Sequence, residues 1–319
     1  MNRKAASVLA LVLGLGSILI ALFRLGVGPL PAKIVVLFGL LGASALAFHF
    51  RQAWLRFPIL IASVGYLGFF EGSCLCPNGA LQNIALNAGL SQLAKTGLYV
   101  LEIGVIFTVI LLFGNLYCGW VCHKGGIQEF LYRRSFRIRI PARVDRALRG
   151  LRFVVLGFAL AYPVLKGEKL FVKIDPFKAL FNLDGNVPLL AFLGVTLLAS
   201  VFIHRPFCRY VCPFGAVAGA VNALSLFRLN ADGRCTSCAV CAKACPAGAI
   251  RVDRGAGRMI VDKTVCLSCL ECARACPKGC LDGSDALRPG ASLPCPDAES
   301  LAPLPAAYPA GSGSLKSPV

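Results

Sequence analysis

Six apolar runs decide what this chain can fold into: about residues 5–23, 34–48, 57–70, 97–116, 153–165 and 187–203. An α-helix needs roughly 20 apolar residues to cross the hydrocarbon core of a bilayer. The first, fourth and sixth runs meet that length. The third and fifth are short and become adequate if Arg56 and Arg152 snorkel at their ends. With 57% hydrophobic residues and a mean hydropathy of +0.71, the chain falls in the membrane class.

The formal charge of +18 raises nucleic acid as a partner for a soluble protein, but these charges are collected in loops. Residues 124–152 hold nine Lys or Arg against Glu129 and Asp145. Arg3 and Lys4 lie at the amino end, Arg51 and Arg56 follow the second run, and only Lys95 faces Glu71 between the third and fourth. The positive-inside rule then predicts six spans, a cytoplasmic amino terminus and no nucleic-acid role. Lys166, Lys169, Lys173 and Lys178 in the last outer loop run against that parity. The first run has a basic start but no small-residue cleavage site, and reads as a retained helix. Everything after residue 203 then lies in the cytoplasm, where clustered thiols stay reduced and favour metal ligation over disulfides.

Residues 235–246 read CTSCAVCAKACP and residues 266–277 read CLSCLECARACP. Both are the C-x2-C-x2-C-x3-C-P run of bacterial two-cluster ferredoxins, in which the fourth cysteine serves the other cluster. One 4Fe–4S cluster is therefore assigned to Cys235, Cys238, Cys241 and Cys276, and a second to Cys266, Cys269, Cys272 and Cys245. A pair of zinc sites is the alternative. Zinc has no need of crossed donation or of a proline after each fourth cysteine. The intervening AIRVDRGAGRMIVD predicts a β-hairpin. Domain boundaries follow: a transmembrane helical domain over 1–228, an α+β ferredoxin-like domain over 229–285, and a disordered Pro/Ala/Gly/Ser tail over 286–319. Cys280 and Cys295 stand outside the pattern as spare thiols.

Three further cysteine motifs close apolar runs: SCLCPNGALQ, YCGWVCHKGG and FCRYVCPFGAV. Aligned on Cys76, Cys122 and Cys212, each has Gly three residues later, then a small and an aliphatic residue. This is an internal repeat. Cys118 and Cys122, like Cys208 and Cys212, are one helical turn apart and so predicted to share a helix face. Together they supply four thiolates, enough for a third cluster between helices. Buried packing thiols, a disulfide and a catalytic dithiol remain the alternatives. Cys74 and Cys76, spaced C-x-C, are weaker candidate ligands expected on the outer side.

The C-x3-C-P motifs followed by a two-cluster ferredoxin resemble the membrane-bound polyferredoxins of the NapH, NosR and FixG/RdxA types, over about residues 97–285. His123 departs from the motif, standing where Pro is usual. The resemblance implies an electron-transfer subunit of a quinol-oxidising system in the bacterial inner membrane. It relays electrons between the quinol pool and a partner redox protein such as a cytochrome, ferredoxin or reductase subunit. A metalloreductase or assembly factor for a copper or other metalloenzyme, and a redox sensor, are the competing readings. Glu102, inside the fourth run, is the candidate proton acceptor, because an ionisable group within a span is costly and points to function.

Overall fold

The computed structural model describes residues 32–73, 76–87, 93–138, 140–231, 235–253 and 258–282. The first apolar run, Cys74, Cys295 and the expected tail lie outside the described residues.

Helix α1 (Ala32–His49) leads through a short turn into α2 (Arg56–Ser63), which continues as π-helical turns over Val64–Phe70. After the Cys76 motif come α3 (Pro77–Leu86) and the long α4 (Leu93–Phe113). A π turn (Tyr117–Val121) precedes α5 (His123–Leu131), and α6 runs over Ala142–Lys166. Next are α7 (Leu170–Lys173), α8 (Pro176–Asn182), α9 (Val187–Phe202), α10 (Pro206–Tyr210) and α11 (Pro213–Ala223).

Among the described residues, Ala53–Phe70, Thr96–Phe113 and Arg143–Lys166 are long and apolar enough to cross a membrane. The pair α8 and α9, bent by 100°, makes a fourth if it counts as one span. The third and fifth runs thus gain length by extending backwards into polar sequence. Snorkelling is not how this happens. Arg56 is 1% exposed, its Nε 3.0 Å from the Gly119 carbonyl and its Nη2 2.6 Å from Glu129. Arg152 is 6% exposed and faces inward. Arg56, a charge held by a fixed partner inside the protein, no longer has to reach for water.

Three short helices start immediately after a motif cysteine. Cys76, Cys122 and Cys212 are all extended N-caps, to α3, α5 and α11. Pro77 and Pro213 explain two of these breaks, because the residue before a proline is pushed out of the α region and proline suits the first helical turn. His123 follows the third break with the same geometry. The expectation that each C-x3-C pair shares a helix face is therefore corrected. Cys118 and Cys122, like Cys208 and Cys212, straddle a break. The glycine three residues on lets the new helix close against the old one. A Cβ on Gly215 would stand 2.8 Å from the Cys208 carbonyl, and one on Gly125 2.6 Å from Arg205 Nη1.

In the carboxy-terminal part, β1 (Asn230–Ala231) pairs antiparallel with β4 (Leu281–Asp282). Strands β2 (Ile250–Asp253) and β3 (Arg258–Val261) form an antiparallel pair over the predicted hairpin, Ile250 opposite Val261. Two small helices, α12 (Val240–Ala244) and α13 (Glu271–Arg274), follow the cysteine loops. Ser237, Ala239, Ser268 and Leu270 have φ between 50° and 60°. They flank the second cysteine of each run. A non-glycine residue in this region costs of order 1–2 kcal/mol, and the chain accepts it at equivalent positions to wrap the loop around a centre.

Candidate metal centres

The two ferredoxin runs build two cavities. Cys235, Cys238, Cys241 and Cys276 line the first, of about 400 Å³, and Cys280 lines it with them. Cys245, Cys266, Cys269 and Cys272 line the second, of about 410 Å³. Each cavity takes three thiols from one run and the fourth from the other. Among the described residues, no three His, Cys, Asp or Glu side chains converge on a point where one ion would sit. A zinc ion about 2.3 Å from each sulfur would gather its ligands that way. Thiols spread around a cavity suit a multi-iron cluster. Burial pushes the Cys266 thiol up to about 12 and raises Cys272 as well. Such groups ionise only where a metal supplies the compensating charge.

A third cavity, of about 630 Å³, holds all four remaining candidates: Cys118, Cys122, Cys208 and Cys212. Gln128 Nε2 lies 3.2 Å from Cys208 Sγ, and Asn78 Nδ2 3.6 Å from Cys212 Sγ. Gly215 N donates to Cys212 Sγ at 3.4 Å. Arg152, Arg205 and Arg209 line the same space, and among the described residues Arg152 Nε has no hydrogen-bond partner. Donors and buried cations around four thiols fit an anionic thiolate-ligated cluster.

The second and third cavities share walls. Ala247 and Leu267 line both. Trp120, fully buried, donates its indole N–H to the Ser268 carbonyl at 3.0 Å. Gly119 lies so close to the Leu267 carbonyl that no side chain fits between them. Arg209 Nη1 reaches the Ala247 carbonyl at 2.6 Å, and Asn222 Nδ2 binds the Lys263 and Cys266 carbonyls at 2.5 and 3.1 Å. The ferredoxin part is thereby seated on the rim of the helical part.

A buried ion cluster holds the third cavity in shape. Glu129 Oε2 accepts from Arg56 and Arg205, with His204 Nε2 3.7 Å away. Arg205 also donates to the Cys118 carbonyl. On the other side of Cys122, His123 is buried with Nε2 2.8 Å from Ser73 Oγ, and Lys124 pairs with Asp175. His123 does not line the cysteine cavity. Cys76 lies beside Lys124, while Asn78, two residues on, reaches Cys212. Glu102 is 3% exposed, and its Oε1 has no hydrogen-bond partner among the described residues.

Sequence reasoning missed Gln128, Asn78, Trp120 and the Glu129 cluster. Gln128 had a signal, since Gln stands six residues after both Cys76 and Cys122. Trp120 had none.

The 4Fe-4S binding domain family matches residues 97–141 and 186–231, and the 4Fe-4S dicluster domain family matches 234–281. An uncharacterized protein of Methanocaldococcus jannaschii is 30% identical over 188 residues, 57% of this chain and 76% of that protein. The putative electron transport protein YccM of Escherichia coli is 28% identical over 213 residues, 60% of this chain and 59% of its own. The chain belongs to the membrane-bound polyferredoxin family. The ferredoxin-type protein NapH of Haemophilus influenzae, 29% identical over 153 residues, covers 44% of this polyferredoxin and shares 51% of its own length. No solved structure matches. The polyferredoxin is thus a membrane iron–sulfur protein, and its two domain matches divide between residues 231 and 234.

Proposed function

We propose that this protein relays electrons between the quinol pool and a partner redox protein. The observation behind this reading is the sequence of three cysteine-lined cavities, with Trp120, Gly119 and Leu267 closing the step from rim to ferredoxin. Clusters bound there would supply one-electron redox chemistry without transfer of atoms. Cys118, Cys122, Cys208 and Cys212 would hold the rim cluster, with Gln128 and Asn78 donating to the Cys208 and Cys212 sulfurs. Cys245, Cys266, Cys269 and Cys272 hold the middle one. Cys235, Cys238, Cys241 and Cys276 hold the last, where the exposed Cys238 marks the face offered to the partner.

Quinol oxidation also releases protons. Glu102, buried on α4 with an unpaired oxygen, is the group proposed to accept one. Cys74 and Cys76 have no role in this scheme. Among the described residues, the three long helices, the bent pair and α1 supply the spans of this reading. With the amino terminus inside, the Arg-rich loop and the ferredoxin part face the cytoplasm of the inner membrane.

Iron and acid-labile sulfide counts with EPR on wild type and Cys118→Ala/Cys208→Ala test the rim site. The double variant should lose one cluster's worth of iron and keep both ferredoxin signals. An unchanged iron count would sink the rim cluster. In membranes, a quinol analogue should reduce all three centres in wild type, and Glu102→Gln should slow that reduction about a hundredfold or more, within the range general acid–base groups supply.

A further inference from the structure

Cys280 is not spare. It is 4% exposed, lines the first ferredoxin cavity, and holds its Sγ 3.4 Å from Cys276 Sγ. Its thiol is also within hydrogen-bonding reach of Cys235. Five thiols therefore surround a space for which the cluster needs four.

The internal repeat shows how the fifth thiol comes to be there. Each run ends in the same loop: Cys245-Pro-Ala-Gly-Ala249 in one half and Cys276-Pro-Lys-Gly-Cys280 in the other. Gly248 and Gly279 both take a left-handed conformation, with φ of 65° and 56°. Each turn is closed by a bond from the glycine amide to the cysteine carbonyl, at 3.3 and 3.1 Å. The amide of the last loop residue points at the cysteine sulfur in both halves, Ala249 N lying 3.3 Å from Cys245 Sγ. The backbone thus brings position 249 or 280 to the sulfur of the fourth ligand. At 249 the side chain is a methyl group; at 280 it is a thiol.

We propose that Cys280 is a reserve ligand of the first ferredoxin centre, so that Cys235, Cys238 and Cys241 can be completed by either Cys276 or Cys280. In the exchange one Fe–S bond to Cys276 breaks and one to Cys280 forms. The proton leaving Cys280 ends on Cys276, and no electron moves. The device sits at the cavity with the most exposed ligand, Cys238, where small oxidants and competing thiols arrive first. Among the described residues, the other two cavities have no fifth cysteine on their walls.

This inference rests on the assignment of a 4Fe–4S cluster to that cavity, and the test separates the two. The full chain is purified anaerobically from membranes, and iron and sulfide are counted per chain beside low-temperature EPR. Cys276→Ala should keep the wild-type iron count with an altered signal from this centre. Cys276→Ala/Cys280→Ala and Cys245→Ala should each lose one cluster's worth. The surviving signal of the second centre in the double variant reports that the protein has folded. Loss of iron from Cys276→Ala as complete as in the double variant overturns the reserve role. A full iron count in Cys235→Ala/Cys280→Ala overturns the cluster assignment itself, and the inference with it.

Discussion

Gly215 and Gly125 show how much one missing Cβ contributes at the rim cavity. The atom a Gly215→Ala side chain would meet is the Cys208 backbone carbonyl, which cannot swing aside as a side chain can. Overpacking of this kind typically costs 1–3 kcal/mol. Gly215→Ala should displace Cys212 and deplete rim-site iron, with both ferredoxin EPR signals intact. Gly79 holds the equivalent place in the Cys76 motif, yet its added Cβ would meet only Val172 Cγ2 at 3.9 Å. Gly79→Ala should leave the iron count unchanged. The repeated glycine was legible in the sequence, but which glycine is needed was not, because that depends on whether a carbonyl from another helix passes within contact.

Among the elements, α5 matters most, since it joins Cys122 to the Glu129 cluster. Glu129 faces two guanidinium groups in a largely buried site. Removing one partner from a buried ion pair costs about 3–5 kcal/mol, much of it from the charges left behind. Glu129→Gln should lower the thermal midpoint in detergent by several degrees and loosen the rim cavity, since Arg205 is also bonded to the Cys118 carbonyl. Exposed pairs such as Lys173 with Glu168 are screened by solvent, so Glu168→Gln should leave the midpoint in place. Charge counting along the sequence assigned Arg56 and Glu129 to orientation and to a loop. Their pairing across 73 residues has no local signature.

For the whole molecule, the seating of the ferredoxin part on the helices decides whether three centres form one path. Trp120→Phe keeps the ring and removes the bond to Ser268, leaving that carbonyl unpaired at a cost of about 1–3 kcal/mol. Hydrogen exchange over residues 264–270 should quicken in this variant while α4 is unchanged. Equal protection in wild type and variant would show that the Trp120 contact does not hold the two parts together.

The sequence by itself determined the membrane class and the spacing of the cysteine runs that line the three cavities. Length, apolar composition and cysteine spacing are local properties, and they impose their consequences wherever the chain goes. Only the tertiary structure decided that the rim cysteines straddle helix breaks, that Arg56 and Arg152 turn inward, and that Cys280 joins a cavity. Each of those outcomes turns on which distant group comes within a few ångströms. Packing sets that distance, and neither spacing nor periodicity encodes it.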